Sequence, residues 1–95
     1  MPPEASKLLE RMRRSKEGWT RKDLDTLYIS YGFIIRNGAS HDIVSHPDYP
    51  TLRETLPRHR KTASYLVRNA VKLIDKLIKL QEADRHSQED SSNDK

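Results

Sequence analysis

The spacing of apolar positions along this chain changes twice, from helical to alternating and back to helical. Leu8, Leu9 and Met12 lie on one side of a short helical stretch, Ala5 to Arg14, too short to persist alone in water and so expected to dock on another element. Ser15 to Gly18 interrupts it. Thr20-Arg21-Lys22-Asp23 then fits a capping box, in which the hydroxyl and the carboxylate each satisfy a backbone amide that lacks a helical partner. Trp19 and Leu24 stand where a hydrophobic staple needs them. Leu24, Leu27, Tyr28 and Tyr31 continue as the stripe of an amphipathic helix, which Gly32 should end in the left-handed conformation. Phe33-Ile34-Ile35-Arg36 is β-branched and aromatic, and Asn37-Gly38 is a favoured hairpin-turn pair. Ser40 to His46 forms the return strand, stopped by Pro47. Asp48-Tyr49-Pro50 reads as a second turn, and Thr51 to Leu56 as a third strand closed by Pro57. After the cationic connection Arg58-His59-Arg60-Lys61, a last helix is expected from Ala63 to Gln81. Its stripe is Val67, Ala70, Val71, Ile74, Leu77 and Ile78. The order helix, helix, three strands, helix predicts an α+β fold, an antiparallel meander with one face covered by helices.

Length and charge sharpen this picture. A chain of 95 residues makes one domain. From Asp84 onward no strongly apolar side chain appears, so burial cannot offset the entropy of ordering, and a disordered polar tail over 83–95 is expected. Residues 1–18 then read as an N-terminal helical extension and 19–82 as the domain. From Asp84 on there are four acids against two bases, so the formal charge of +4 becomes +6 on residues 1–83. Such a surface favours nucleic acid, an anionic membrane or an acidic protein. The absence of cysteine excludes a disulfide framework and a thiolate zinc site, and no glycine-rich phosphate loop is present. No apolar run is long enough for a membrane span. Met1-Pro2-Pro3-Glu4 lacks the plan of a secretory signal, and a cytoplasmic location is expected.

The chemistry left to such a chain is that of imidazole, carboxylate and cation. His41, His46 and His59 are three of its four histidines and fall in one segment. Histidine exchanges a proton near neutral pH, and RNA cleavage needs a base for the ribose 2′-hydroxyl and an acid for the leaving 5′-oxygen. His41, just past the glycine turn, is the candidate for that role. His46 precedes Pro47 and suits a turn, while His59, between two arginines, suits a substrate contact. His41, His46, Asp48 and His59 carry metal-ligating atoms, but their spacing fits no zinc pattern, so neither metal nor cofactor is expected. Arg58, Arg60 and Lys61 precede the last helix, where cationic side chains and free amides together suit phosphate. Arg11, Arg13, Arg14 and Lys16 read as a solvated face, and Tyr28 and Tyr31 as core.

The α-β-β-β-α order from Thr20 onward is similar to that of double-stranded-RNA-binding domains, here with one extra N-terminal helix. Ser40-His41, His46-Pro47 and Leu56-Pro57-Arg58-His59 within that order resemble the HicA toxins, small RNA-cleaving members of toxin–antitoxin pairs. The resemblance covers roughly residues 19–80. It implies endoribonuclease activity on messenger RNA, His41 as the catalytic histidine, and neutralisation by a HicB-type antitoxin. Ser40, Arg58, His59, Arg60 and Lys61 are then the expected RNA contacts. Two other readings stand beside it: an RNA-binding module that cleaves nothing, and an interaction protein whose last helix meets a partner.

Overall fold

The structure, a computed structural model, describes residues 3–58 and 61–93. His59 and Arg60 therefore lie outside the described residues. The elements are α1 (Pro3–Arg14), α2 (Arg21–Ser30), β1 (Ile34–Asn37), β2 (His41–Ser45), β3 (Arg53–Pro57) and α3 (Ser64–Asn93). The strands form one antiparallel sheet in the order β1-β2-β3.

The start of α2 follows its capping residues. The Asp23 amide donates to Thr20 Oγ1 at 3.2 Å, and the Thr20 amide donates to Asp23 Oδ2 at 3.0 Å. Trp19 packs against the cluster that contains Leu24. After Tyr31 the chain turns at Gly32, whose φ of 89° is the left-handed conformation that glycine adopts without strain. A Cβ at that position would also stand 3.2 Å from His46 Nε2.

The hairpin differs from the sequence expectation. Asn37 pairs with Asp42, and the Gly38 amide donates to the His41 carbonyl at 2.9 Å, so Ala39 and Ser40 form the tip and Asn37-Gly38 does not. Among the described residues only Gly18 and Gly32 have positive φ, so Asn37-Gly38 does not adopt the mirror-image turn its residue types favour. Burial decides the register. It sets Ile35 opposite Val44 on the inner face, and a slip of one residue would turn Val44 outward. Gly38 serves close approach instead, because a Cβ there would collide with the His41 carbonyl oxygen.

Along β2 the side chains alternate. Asp42 and Val44 are buried on the inner face, while His41 is exposed on the outer one. On β3, Leu56 is buried and Glu54 accepts a hydrogen bond from Asn69 of α3 at 3.1 Å. That strand runs through Pro57 instead of stopping before it, which an end strand tolerates because it needs no amide on its free side.

One apolar cluster holds everything together. It joins Leu24, Leu27 and Tyr28 of α2, Val44 and Leu56 of the sheet, and Val67, Ala70, Ile74 and Leu77 of α3. α1 adds Ala5, Leu9 and Met12 to the same cluster and packs on both α2 and α3. Arg13 donates twice to Asp75, at 2.8 and 3.0 Å, and so locks α1 to α3. The segment expected as an extension thus closes the core. α3 continues past Gln81 and across the expected boundary at 83, with helical backbone to Asn93. No glycine or proline lies between Ser64 and Asn93 to stop it, and propagating an existing helix is easy. The Tyr49 hydroxyl, in the β2–β3 loop, donates to the Asp84 carboxylate. Asp94 and Lys95 lie outside the described residues. Among the described residues no helix is long and apolar enough to cross a membrane.

Candidate active site and nucleic-acid interface

His41 stands at the start of β2, opposite Pro57 of β3 and beside the hairpin tip. Its imidazole is exposed, and Ser40 Oγ lies 3.2 Å from its Nδ1. If Nδ1 carries the hydrogen, Ser40 accepts it, and Nε2 presents a lone pair outward; in the opposite tautomer the lone pair lies on Nδ1 and accepts from the Ser40 hydroxyl. His41 lines a depression of about 350 Å³ with Thr55 and Pro57 of β3, Lys61, and Ala63, Tyr65 and Leu66 at the start of α3. Lys61 reaches this place because the connection before α3 runs along the one before α2. Thr20 and Lys61 form an antiparallel bridge, and the Thr62 amide donates to the Trp19 carbonyl at 3.1 Å. The depression therefore brings together an imidazole, an ammonium and a phenol. Tyr65 is 52% exposed, an unusual position for so large a ring.

Beneath this site lies a clamp. Asp42, facing inward, accepts from Arg21 Nη2 at 2.7 Å and from Arg58 Nε at 2.9 Å. Arg21 also donates to Asp25 at 2.7 Å and to the Pro57 carbonyl at 3.1 Å, and Arg58 Nη2 donates to the Gly38 carbonyl. The hydrogen bond from Arg58, seconded by Arg21, holds the Asp42 carboxyl below the usual carboxylate range. One buried acid and two arginines thus tie α2, the hairpin and the end of β3 together, and the backbone that carries His41 is fixed from behind.

The expected site residues fall into three groups. Ser40, His41 and Lys61 meet around the depression. Arg58 is engaged by Asp42 and Gly38 and acts as part of the frame. His59 and Arg60 lie outside the described residues. His46 is elsewhere: its Nδ1 accepts from the Asp48 amide at 3.1 Å, and its ring packs edge-on against Phe33 with centroids 5.0 Å apart. It holds the turn that follows β2. Among the described residues, no three histidine, aspartate or glutamate side chains converge as a metal site.

Sequence reasoning missed Tyr65 and Arg21. Tyr65 lies off the apolar stripe of α3, and an aromatic residue set aside from a core face was the available signal. Arg21 could have been sought from Asp42, because an acid that alternates with Val44 must point inward and a buried carboxylate requires a partner. Compared with known proteins, the chain matches no family model, no curated protein and no solved structure.

Proposed function

We propose that this protein is an endoribonuclease that cuts messenger RNA without a metal, with His41 moving the proton. The meeting of His41, Lys61 and Tyr65 in one open depression is the observation that carries this reading. In the proposed step, Nε2 of His41 takes the proton of a ribose 2′-hydroxyl. That oxygen bonds to the adjacent phosphorus, the bond from phosphorus to the 5′-oxygen breaks, and water or a neighbouring acid returns a proton to the leaving oxygen. The products are a 2′,3′-cyclic phosphate and a free 5′-hydroxyl. The nucleophile belongs to the substrate, so no metal is needed to generate one. Lys61 would balance phosphate charge, and Tyr65 offers a face on which a base can stack.

The α-β-β-β-α order and the Ser40-His41 placement also support the likeness to HicA toxins and to the double-stranded-RNA-binding fold. On that reading the partner is a HicB-type antitoxin that presents carboxylates to the basic surface and covers His41, and the enzyme works in the cytoplasm. A plain RNA-binding module is the second reading. It is favoured by one observation: among the described residues lining the depression, His41 is accompanied by no second histidine and no carboxylate.

Replacing His41 by alanine decides between them. RNA cleavage should fall by about 10²–10⁴-fold, with an unchanged circular-dichroism spectrum, and wild-type cleavage should persist in EDTA. Full cleavage by a folded His41→Ala protein would remove the mechanism. Intact binding with no cleavage by the wild type would leave the binding module.

A further inference from the structure

The surface that begins at His41 does not end at Lys61. Three depressions, of about 350, 350 and 390 Å³, follow one another from the sheet edge to α1. Lys61 lines both the first and the second. Glu17 and Gly18 line both the second and the third, which Trp19, Arg11 and Arg14 also line. The Arg11 guanidinium stands 5.2 Å from the centre of the Trp19 ring, and Trp19 Nε1 donates to the Ser15 carbonyl at 2.9 Å, which fixes the ring in its plane. Arg13, Arg21 and Arg58 are taken by carboxylates, whereas among the described residues Arg11, Arg14 and Lys61 make no ion pair. Glu17 is the single acid among the residues that line the three depressions.

We propose that these depressions form one track for single-stranded RNA, running from His41 to α1. Tyr65 and Trp19 stack bases, while Lys61, Arg11 and Arg14 meet phosphates. The inference deepens the ribonuclease reading and rests on it for the direction of the strand. It adds α1, which lies outside the residues that resemble HicA toxins. Cations interleaved with aromatic faces are what a single strand requires, because its backbone is charged throughout and its unpaired bases expose both faces. A duplex keeps its bases stacked on one another and would leave the two rings unused.

Trp19 is the only tryptophan, so its fluorescence reports the far end of the track alone. The probes are 2′-O-methyl oligonucleotides, which lack the nucleophilic hydroxyl and stay uncut, of about three and about ten nucleotides. The longer probe should quench Trp19 and bind more tightly than the shorter. Arg11→Ala with Arg14→Ala should abolish that advantage of length, and should lower the salt slope by about 0.7 for each phosphate that is no longer neutralised. Trp19→Ala, read by anisotropy of a labelled probe, should weaken the longer one roughly 5- to 150-fold. Glu17→Gln should tighten it. Unquenched Trp19 with the long probe bound would overturn the track even if His41-dependent cleavage stands. So would equal quenching by a duplex, or affinity that disappears in Arg36→Ala with Arg53→Ala on the open sheet face and survives without Arg11 and Arg14. Quenching and length dependence in a protein that cuts nothing would uphold the track and overturn only the ribonuclease reading.

Discussion

Asp42 shows how much of the site depends on a residue turned away from solvent. Its carboxylate is the point where Arg21 from α2 and Arg58, just past β3, converge. Because the native state holds this carboxyl below its usual range, folding favours the ionised form. The stabilisation is therefore complete above the unfolded-state pKa of about 3.9 and is lost as the pH falls through the lower native value. Asp42→Asn should be less stable than the wild type near neutral pH, and its stability should fall less steeply on acidification below about pH 4. Urea midpoints measured across that range check both; parallel pH profiles for the two proteins would show that the clamp carries no linkage.

At the level of elements, the hairpin teaches the clearest lesson. Asn37-Gly38 is a sound local turn signal, but the inward burial of Val44 opposite Ile35 selects a register in which Ala39-Ser40 make the tip. Local preference yields to the core because the period of a strand is two, so a slip costs every buried side chain at once. Gly38 keeps a different duty, and Gly38→Ala should destabilise the protein by more than about 1 kcal/mol. On the proposed ribonuclease reading it should also displace His41, with a loss of cleavage larger than the loss of folded protein. Equilibrium unfolding and activity at matched folded concentration would separate the two effects. The elements with strong caps or stripes, α2 and most of α3, were legible in the sequence, since capping and helical periodicity are local. The end of α3 was not, because the sequence there holds no stop signal and the Tyr49–Asp84 hydrogen bond is tertiary. His41 and Lys61 were legible as candidates. Their meeting depends on the bridge between Thr20 and Lys61, which no local pattern announces.

For the molecule as a whole, the decisive fact is that there is one core. Ala5, Leu9 and Met12 are buried among residues of α2 and α3, so the segment before Thr20 is part of the domain. Removing residues 1–14 would expose the surfaces that Leu9 and Met12 cover, at roughly 1.5–3 kcal/mol for each large side chain. Set against a typical domain stability of about 5–15 kcal/mol, that loss should leave the shortened chain largely unfolded or strongly lowered in melting temperature. Circular dichroism during heating tests this, and a shortened chain that melts like the full one would mean that α1 is an appendage after all.

The Arg13–Asp75 bond joins residues 62 positions apart and has a meaning for the order in which the protein is made. During synthesis Arg13 leaves the ribosome 62 residues before Asp75, so α1 rests on its full partner surface only after the sheet and α3 have followed. The surface that links α1 to His41 is therefore assembled only when α3 docks. A nascent chain holds the imidazole and the arginines before it holds them in place, so on the proposed reading the site is complete only after α3 has been made.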